Sequence, residues 1–371
     1  MAWTDRYQVT KGCFYGFCSK SNDKGKILMA NKRGGNRLVY QVEQAIKKIN
    51  YIGISKKTLR DQKAETGIHS TTQIKHVLSV GQNFGKWAKD QGIKDLFQLK
   101  RSHYRDYIAH MQATGVSNGH LINLETNLRL LQKGMQKVSE EKGMSGREWI
   151  PKIRLIDTAS REKPKDRSYT AEEIKGVREK LSENAKVGAD LQQAFGLRLR
   201  EAANTRVAHV VEKDGKLFWR ASEAKGALNT ATGVTKAGRG RETPCRPEYE
   251  ARVRGLIQGK EPNEFISKVK YNTLKSAYNR AGVKGSHSFR HTYARETLKS
   301  ELQKRGIEAP GREILQRMIE NREAGYRKDH TIMKDERSLY REVVQVMDTV
   351  QEYLGHGEGR IDLAEVYLKG V

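Results

Sequence analysis

Between Ile74 and Leu131 apolar residues return at steps of three and four, the rhythm of helices buried along one side. Ile74, Val77, Leu78, Gly81, Phe84, Gly85 and Ala88 share one helical face, and Asp90-Gln91-Gly92 turns the chain after them. A shorter helix holds Tyr104, Tyr107, Ile108 and Met111. Past Gly115, Ser117 is placed to cap another helix that runs through Leu121, Leu124, Leu128 and Leu131. Residues 46–145 are therefore expected to form a small all-helical domain with basic residues on its outer faces.

The rest of the chain reads differently. Residues 146–167 read as a linker, with Gly146 and Pro151 leading to the charge-dense run Arg161-Glu162-Lys163-Pro164-Lys165-Asp166-Arg167. A second domain, 168–371, opens on Thr170-Ala171-Glu172-Glu173, a capping-box pattern ahead of an apolar-periodic helix. Lys216-Leu217-Phe218-Trp219-Arg220 reads as a strand, and the Lys-, Gly- and Arg-rich stretch from Val234 to Pro244 as a turn entering another. The remainder is mostly helical, so the expected class is mainly α with a small antiparallel β-sheet in the C-terminal domain. A length of 371 residues is comfortable for two domains. Residues 1–45, with Lys24-Gly25-Lys26, Lys32-Arg33-Gly34-Gly35 and Arg37, read as a basic arm, either a solvated tail or a source of extra phosphate contacts.

Charge narrows the partner. Lys and Arg total 70 against 44 Asp and Glu, a net charge of +26. Such an excess repels itself in a compact fold, and nucleic acid is the first polyanion to consider. No basic amphipathic anchor points to a membrane surface. No apolar run approaches the roughly 20 residues of a spanning helix, and Met1 to Lys11 lacks the apolar core of a signal peptide. A cytoplasmic, DNA-associated protein is expected. The three cysteines, Cys13, Cys18 and Cys245, follow no disulfide framework. Cys13 and Cys18 could be two zinc ligands, but no second pair follows nearby, and reduced thiols fit better.

Four local patterns then fall in order: Gly196-Leu197-Arg198-Leu199-Arg200-Glu201-Ala202, Thr235-Lys236-Ala237-Gly238-Arg239-Gly240-Arg241, His287-Ser288-Phe289-Arg290-His291-Thr292, and Leu354-Gly355-His356 followed by Tyr367. Each alone has a plain explanation: an i, i+3 ion pair, a solvated hairpin, polar residues at a helix start, a packing tyrosine. Together they meet the needs of phosphodiester exchange without a metal: a nucleophile, cations for the charge that builds on phosphate, and an acid for the leaving oxygen. Guanidinium groups stay charged and donate in a planar fork. A His three residues ahead of an Arg shares its helical face, so His287 and Arg290 can converge on one phosphate. A lysine on a mobile turn can protonate a leaving oxygen. Tyrosine, with an ordinary pKa of about 10, needs nearby cations and a histidine to lose its proton.

This ordered set resembles the catalytic domain of the tyrosine recombinase (phage-type integrase) family, over about residues 168–371. The helical region before it resembles, more weakly, the family's core-binding domain. The resemblance implies a two-domain DNA clamp. It implies that Arg198 and Arg290 hold the scissile phosphate and that Lys236 protonates the departing 5′ hydroxyl. His287 would exchange a proton with the tyrosine, His356 would donate a hydrogen bond to the phosphate, and Tyr367 would attack to give a 3′-phosphotyrosyl link. Glu201 would support the active-site arginine and histidine. Neither cofactor, ATP nor metal is implied. Double-stranded DNA is the implied partner, bound by a homotetramer on two sites, with accessory DNA-bending proteins possible. The basic arm favours an integrase of a mobile element over a chromosome-dimer resolvase.

The chain departs from the family pattern in places. The interval from His291 to Leu354 is long and carries a charged insert, about 305–342, expected to form one or two extra helices. Lys225 rivals Lys236; Lys236 is preferred because Arg241 and Pro244 follow it. His356 and Tyr367 stand 11 positions apart, slightly more than usual. Tyr353 is expected to be a core residue. Only four residues follow Tyr367, so subunit coupling is expected to use other surfaces. The rival reading is a catalytically inactive DNA-binding regulator with the same fold.

Overall fold

A computed structural model of the chain describes residues 37–370. Cys13, Cys18 and most of the expected basic arm lie outside the described residues. The chain divides into two compact units, which meet in sequence between Glu162 and Lys163.

Unit 1 is all helical: α1 (Arg37–Lys48), α2 (Lys56–Asp61), α3 (Thr71–Asp90), α4 (Arg101–Ala113) and α5 (Asn118–Glu141). The capping chemistry is local. Ser70 accepts from the amide of Gln73 ahead of α3, and Ser117 from that of His120 ahead of α5, each satisfying an amide the first turn leaves free. Ile74, Val77, Phe84 and Ala88 of α3 are buried against Leu121, Leu124, Leu128 and Leu131 of α5. Two stretches behave otherwise than their composition suggests. Arg37–Lys48, assigned largely to the arm, is a helix whose Leu38, Val42, Ala45 and Ile46 enter this core. Its apolar residues fall at helical spacing among charges, and α1 packs on α3 and α5. Within the expected linker, Trp149, Ile150 and Ile156 are buried in the same core. Trp149 stacks on Phe84 with ring centroids 5.4 Å apart. The amide of Ile150 donates to Gln132 Oε1 at 2.5 Å, so a segment without secondary structure is fixed by side chains of α3 and α5.

Unit 2 begins with α6 (Ala171–Glu179), where Thr170 and Glu173 form the expected capping box. Then come α7 (Glu183–Phe195) and α8 (Leu199–Ala203). An antiparallel sheet follows in the order β1 (Val210–Lys213), β2 (Lys216–Ala221), β3 (Arg241–Pro244), with Trp219 paired to Val210 on one side and Thr243 on the other. The hairpin between β2 and β3 carries Lys225 and Lys236. The helices α9 (Pro247–Ile257), α10 (Tyr271–Arg280), α11 (Ser288–Lys304), α12 (Glu308–Glu323), α13 (Arg337–Tyr353) and α14 (Ile361–Tyr367) complete the unit. The charged insert is built as α12 and the start of α13, and Ile314, Leu315, Met318 and Ile319 sink α12 into a core shared with α11, α13 and α14. Among the described residues no helix is long and apolar enough to cross a membrane.

Candidate active site

The centre of unit 2 is a carboxylate surrounded by arginines. Gly196 ends α7 with φ +61°, and a Cβ there would run into the Tyr293 ring, so only glycine fits the turn. That turn delivers Arg198 to the start of α8, where its amide donates to Glu201 Oε2 at 2.7 Å and its Nη1 to Oε1 at 2.8 Å. Glu201 is 1% exposed. Arg241, the first residue of β3, donates from Nη2 to Glu201 Oε2 at 2.6 Å, and Arg290 Nη1 stands 4.0 Å from the same oxygen. Burial pushes the carboxyl up, but the guanidinium groups of Arg241, Arg290 and Arg198 outweigh it and hold it down at about 2. Three guanidinium groups thus share one carboxylate.

Arg290 lies on α11 and is wholly buried. It donates to the carbonyls of Gly196 and Leu354, and its Nη2 stands 3.2 Å from His356 Nε2. Its Nε is buried with no hydrogen-bond partner among the described residues. Burial, then Arg241 and Arg198, push the guanidinium down to about 9, still charged at neutral pH. Arg241 also donates to the Tyr353 carbonyl and lies over the Trp219 ring, 5.0 Å from its centroid. Arg290 and Arg241 therefore take the two carbonyls that end α13. Gly355, at φ +66°, then turns the chain back. A Cβ at Gly355 would meet Arg241 Cδ at 2.9 Å. The turn sets the His356 amide on the Gln351 carbonyl at 2.9 Å and its Nδ1 2.7 Å from Gln351 Oε1.

Tyr367 closes α14 and is 8% exposed. Its ring centroid lies 4.4 Å from that of His291 and 5.2 Å from that of His356, and the Arg290 guanidinium is 5.9 Å from it. His287 sits at the N-cap of α11, just outside the helix. Its Nδ1 and that of His291 are buried without a partner among the described residues. All three imidazoles are held neutral. Burial, then Arg290 and Arg198, lower His287 to about 4; burial, then His287 and Arg167, lower His291 to about 4; burial, then Arg290, Arg198 and Arg241, lower His356 to about 3.

The structure thus gathers Arg198, Glu201, Arg290, His356 and Tyr367, with His287 at the head of the helix that carries Arg290. Lys236 differs: it lies on a short turn shortly before β3, exposed, without a hydrogen bond or ion pair to these residues, and Lys225 is exposed too. Tyr353 packs half-buried at the edge of the core under α13. Three residues join the site that their local patterns did not single out. Arg241 bridges Glu201 to the end of α13, His291 faces the Tyr367 ring, and Gln351 holds His356. Arg241 and His291 stood inside quoted motifs, but their partners are distant in sequence. Cys245 is apart from the site and buried, which pushes its thiol up to about 12.

No family model matches the chain, and no curated protein matches it. Among solved structures it is similar to the XerH site-specific recombinase bound to difH substrate in a pre-cleavage complex, at 13% identity over 89% of this chain and 91% of that one, TM-score 0.48. It is similar also to a lambda integrase tetramer bound to a Holliday junction, at 11% identity over 86% and 77%, TM-score 0.47. A third similar structure is the Tn1549 transposon integrase (aa 82-397) in complex with circular intermediate DNA, at 11% identity over 88% and 98%, TM-score 0.39.

Proposed function

We propose that the chain is a tyrosine recombinase, a site-specific enzyme that cuts and rejoins double-stranded DNA through Tyr367. The observation that carries this reading is the surplus of buried positive charge beside the phenol: three guanidinium groups around one carboxylate, with Arg290 Nε still unpartnered. A buried surplus of this kind favours an anion, and preorganised donors stabilise charge as it develops. A phosphodiester entering the site supplies that anion. Arg198, 22% exposed in its side chain, and Arg290 are its ligands.

In the proposed reaction the Tyr367 hydroxyl oxygen bonds to phosphorus as its proton passes to His287. The bond from phosphorus to the 5′ oxygen breaks, and Lys236, exposed on the turn before β3, protonates that oxygen. The product is a 3′-phosphotyrosyl link that stores the energy of the broken bond, so a second 5′ hydroxyl reverses the step on a new strand without ATP or metal. Glu201 holds the arginines. Unit 2 is the catalytic domain and unit 1 a helical DNA-binding domain. The expected assembly is a homotetramer on two DNA sites, with accessory DNA-bending proteins as possible further partners.

A nicked suicide substrate tests this. Incubated in EDTA, the protein should give an SDS-resistant covalent adduct. Tyr367→Phe should abolish the adduct and leave DNA binding largely intact. DNA binding with no adduct from the native chain would favour a catalytically inactive regulator, and an adduct that survives in the variant would move the nucleophile, with Tyr353 next in line.

A further inference from the structure

His356 is held at its backbone and at both of its ring nitrogens, and the two ring contacts agree on a single tautomer. Guanidinium nitrogens only donate, so the 3.2 Å approach of Arg290 Nη2 requires a bare lone pair on His356 Nε2. The ring proton then belongs on Nδ1, 2.7 Å from Gln351 Oε1, an atom that only accepts. The reversed amide would turn its NH2 toward Nδ1 and force the ring proton onto Nε2, against an N–H of Arg290. Two donors would then face each other in a buried site. Gln351 is wholly buried, and its own Nε2 has no partner among the described residues. An apolar side chain would fill that space without leaving an amide unsatisfied, which points to the oxygen as the reason for glutamine.

We propose that Gln351 is a positioning residue that fixes His356 as the Nδ1–H tautomer and so keeps Nε2 as an acceptor for the Arg290 guanidinium. This deepens the reading of the site given above and rests on it. Its consequence is that His356 orients Arg290 through a lone pair. The hydrogen bond to phosphate that the resemblance implies would need a ring protonated at Nε2. The surroundings oppose that second proton. Arg290 on α11, Arg198 ahead of α8, Arg241 on β3 and Arg360 ahead of α14 face the ring with positive charge, and Tyr367 on α14 faces it with its ring. The carboxylate of Glu201 is already taken by Arg241 and Arg198.

The test has two arms. Adduct formation on the nicked substrate is measured across pH for Gln351→Glu and Gln351→Met. A carboxylate against Nδ1–H favours the doubly protonated ring. Gln351→Glu should therefore move the acid limb of the rate upward by about 1–3 pH units, losing up to about tenfold at about pH 5 and recovering as the pH is raised to neutral. Gln351→Met should lose about tenfold at every pH with DNA affinity unchanged. The second arm needs no change at Gln351. Nitrogen-labelled histidine in the native chain, with His356→Asn for assignment, should show Nδ1 protonated and Nε2 bare at neutral pH. A proton on Nε2, or a Gln351→Glu variant as fast as the native chain in mild acid, overturns the proposal. If the native chain forms no adduct, the recombinase reading fails instead, and the nitrogen signals still decide the tautomer.

Discussion

Replacing Glu201 with glutamine removes one negative charge and changes almost nothing in shape. The native carboxylate is buried and shared by Arg241, Arg198 and Arg290, which together hold it at about 2 against an ordinary 4.5. That displacement corresponds to about 3 kcal/mol of stability at roughly 1.4 kcal/mol per pH unit. A second route gives a similar figure: removing one partner of a buried ion pair costs about 3–5 kcal/mol, because the other charges are left uncompensated. The sign follows from linkage. The folded value is depressed, so the contribution is complete above about pH 4.5, declines below it, and is lost as the pH falls through about 2. Less than half should remain at about pH 3. The assay is urea denaturation read by hydrogen exchange on α8 and α11, which reports unit 2 alone. Glu201→Gln should lower the stability of unit 2 by about 3 kcal/mol at neutral pH, with the gap narrowing in acid. A loss under about 1 kcal/mol at neutral pH would mean that the three arginines do not depend on this carboxylate, and the electrostatic account of the site would be wrong.

Gly355→Ala places a Cβ 2.9 Å from Arg241 Cδ in a left-handed turn; it should cost about 1–2 kcal/mol and slow adduct formation, measured on the nicked substrate, because His356 is displaced with the turn. Trp149→Ala should destabilise unit 1 by about 3–5 kcal/mol, seen as loss of exchange protection in α3 and α5. Mild acid should loosen unit 2. His287, His291 and His356 lie at about 4, 4 and 3 when folded, below an unfolded value near 6.5. Their contribution is present above that value and lost as the pH falls through about 4, by up to about 2 kcal/mol per imidazole at pH 5 and less for the half-buried His287 and His356. A flat urea midpoint between pH 7 and pH 5 would count against their being neutral in the fold.

Much of the architecture was legible because it is local. α3, α4 and α5 follow from three- and four-residue steps, α5 also from its Ser117 cap, and the Thr170–Glu173 box marks the start of α6. The misread stretches are those whose burial depends on distant partners. Leu38, Val42, Ala45 and Ile46 repeat properly but are diluted by charge, and only α3 and α5 supply the surface they cover. Trp149 and Ile150 have no period at all; Phe84 and Gln132 hold them. The same division runs through the candidate site. Arg198, Glu201, Arg290 and Tyr367 stood out as members of an ordered pattern, whereas Arg241 becomes significant only when β3 is laid beside α8 and the end of α13. Gln351 gives no local signal, since its meaning lies in a ring nitrogen five residues on. Lys236 remains apart because its side chain is exposed and makes no hydrogen bond or ion pair to the site, although Val234 and Thr235 beside it are buried.

The first and last segments of unit 2 are tied to the same two side chains. Glu323 receives Lys163, at 2.9 Å, from the segment that enters the unit, and Lys369 from the segment that follows Tyr367. Arg295 donates to Asp166 and Ser168 on the way in and to the carbonyl of Gly370 on the way out. Bonds that share an anchor are thermodynamically reciprocal: whatever freeing the entering segment does to the grip on the trailing one, freeing the trailing one does to the entering one in equal measure. Partly exposed pairs of this kind carry on the order of 1 kcal/mol, enough to bias by about fivefold how often the end of the tyrosine helix is tethered, and too little to lock it.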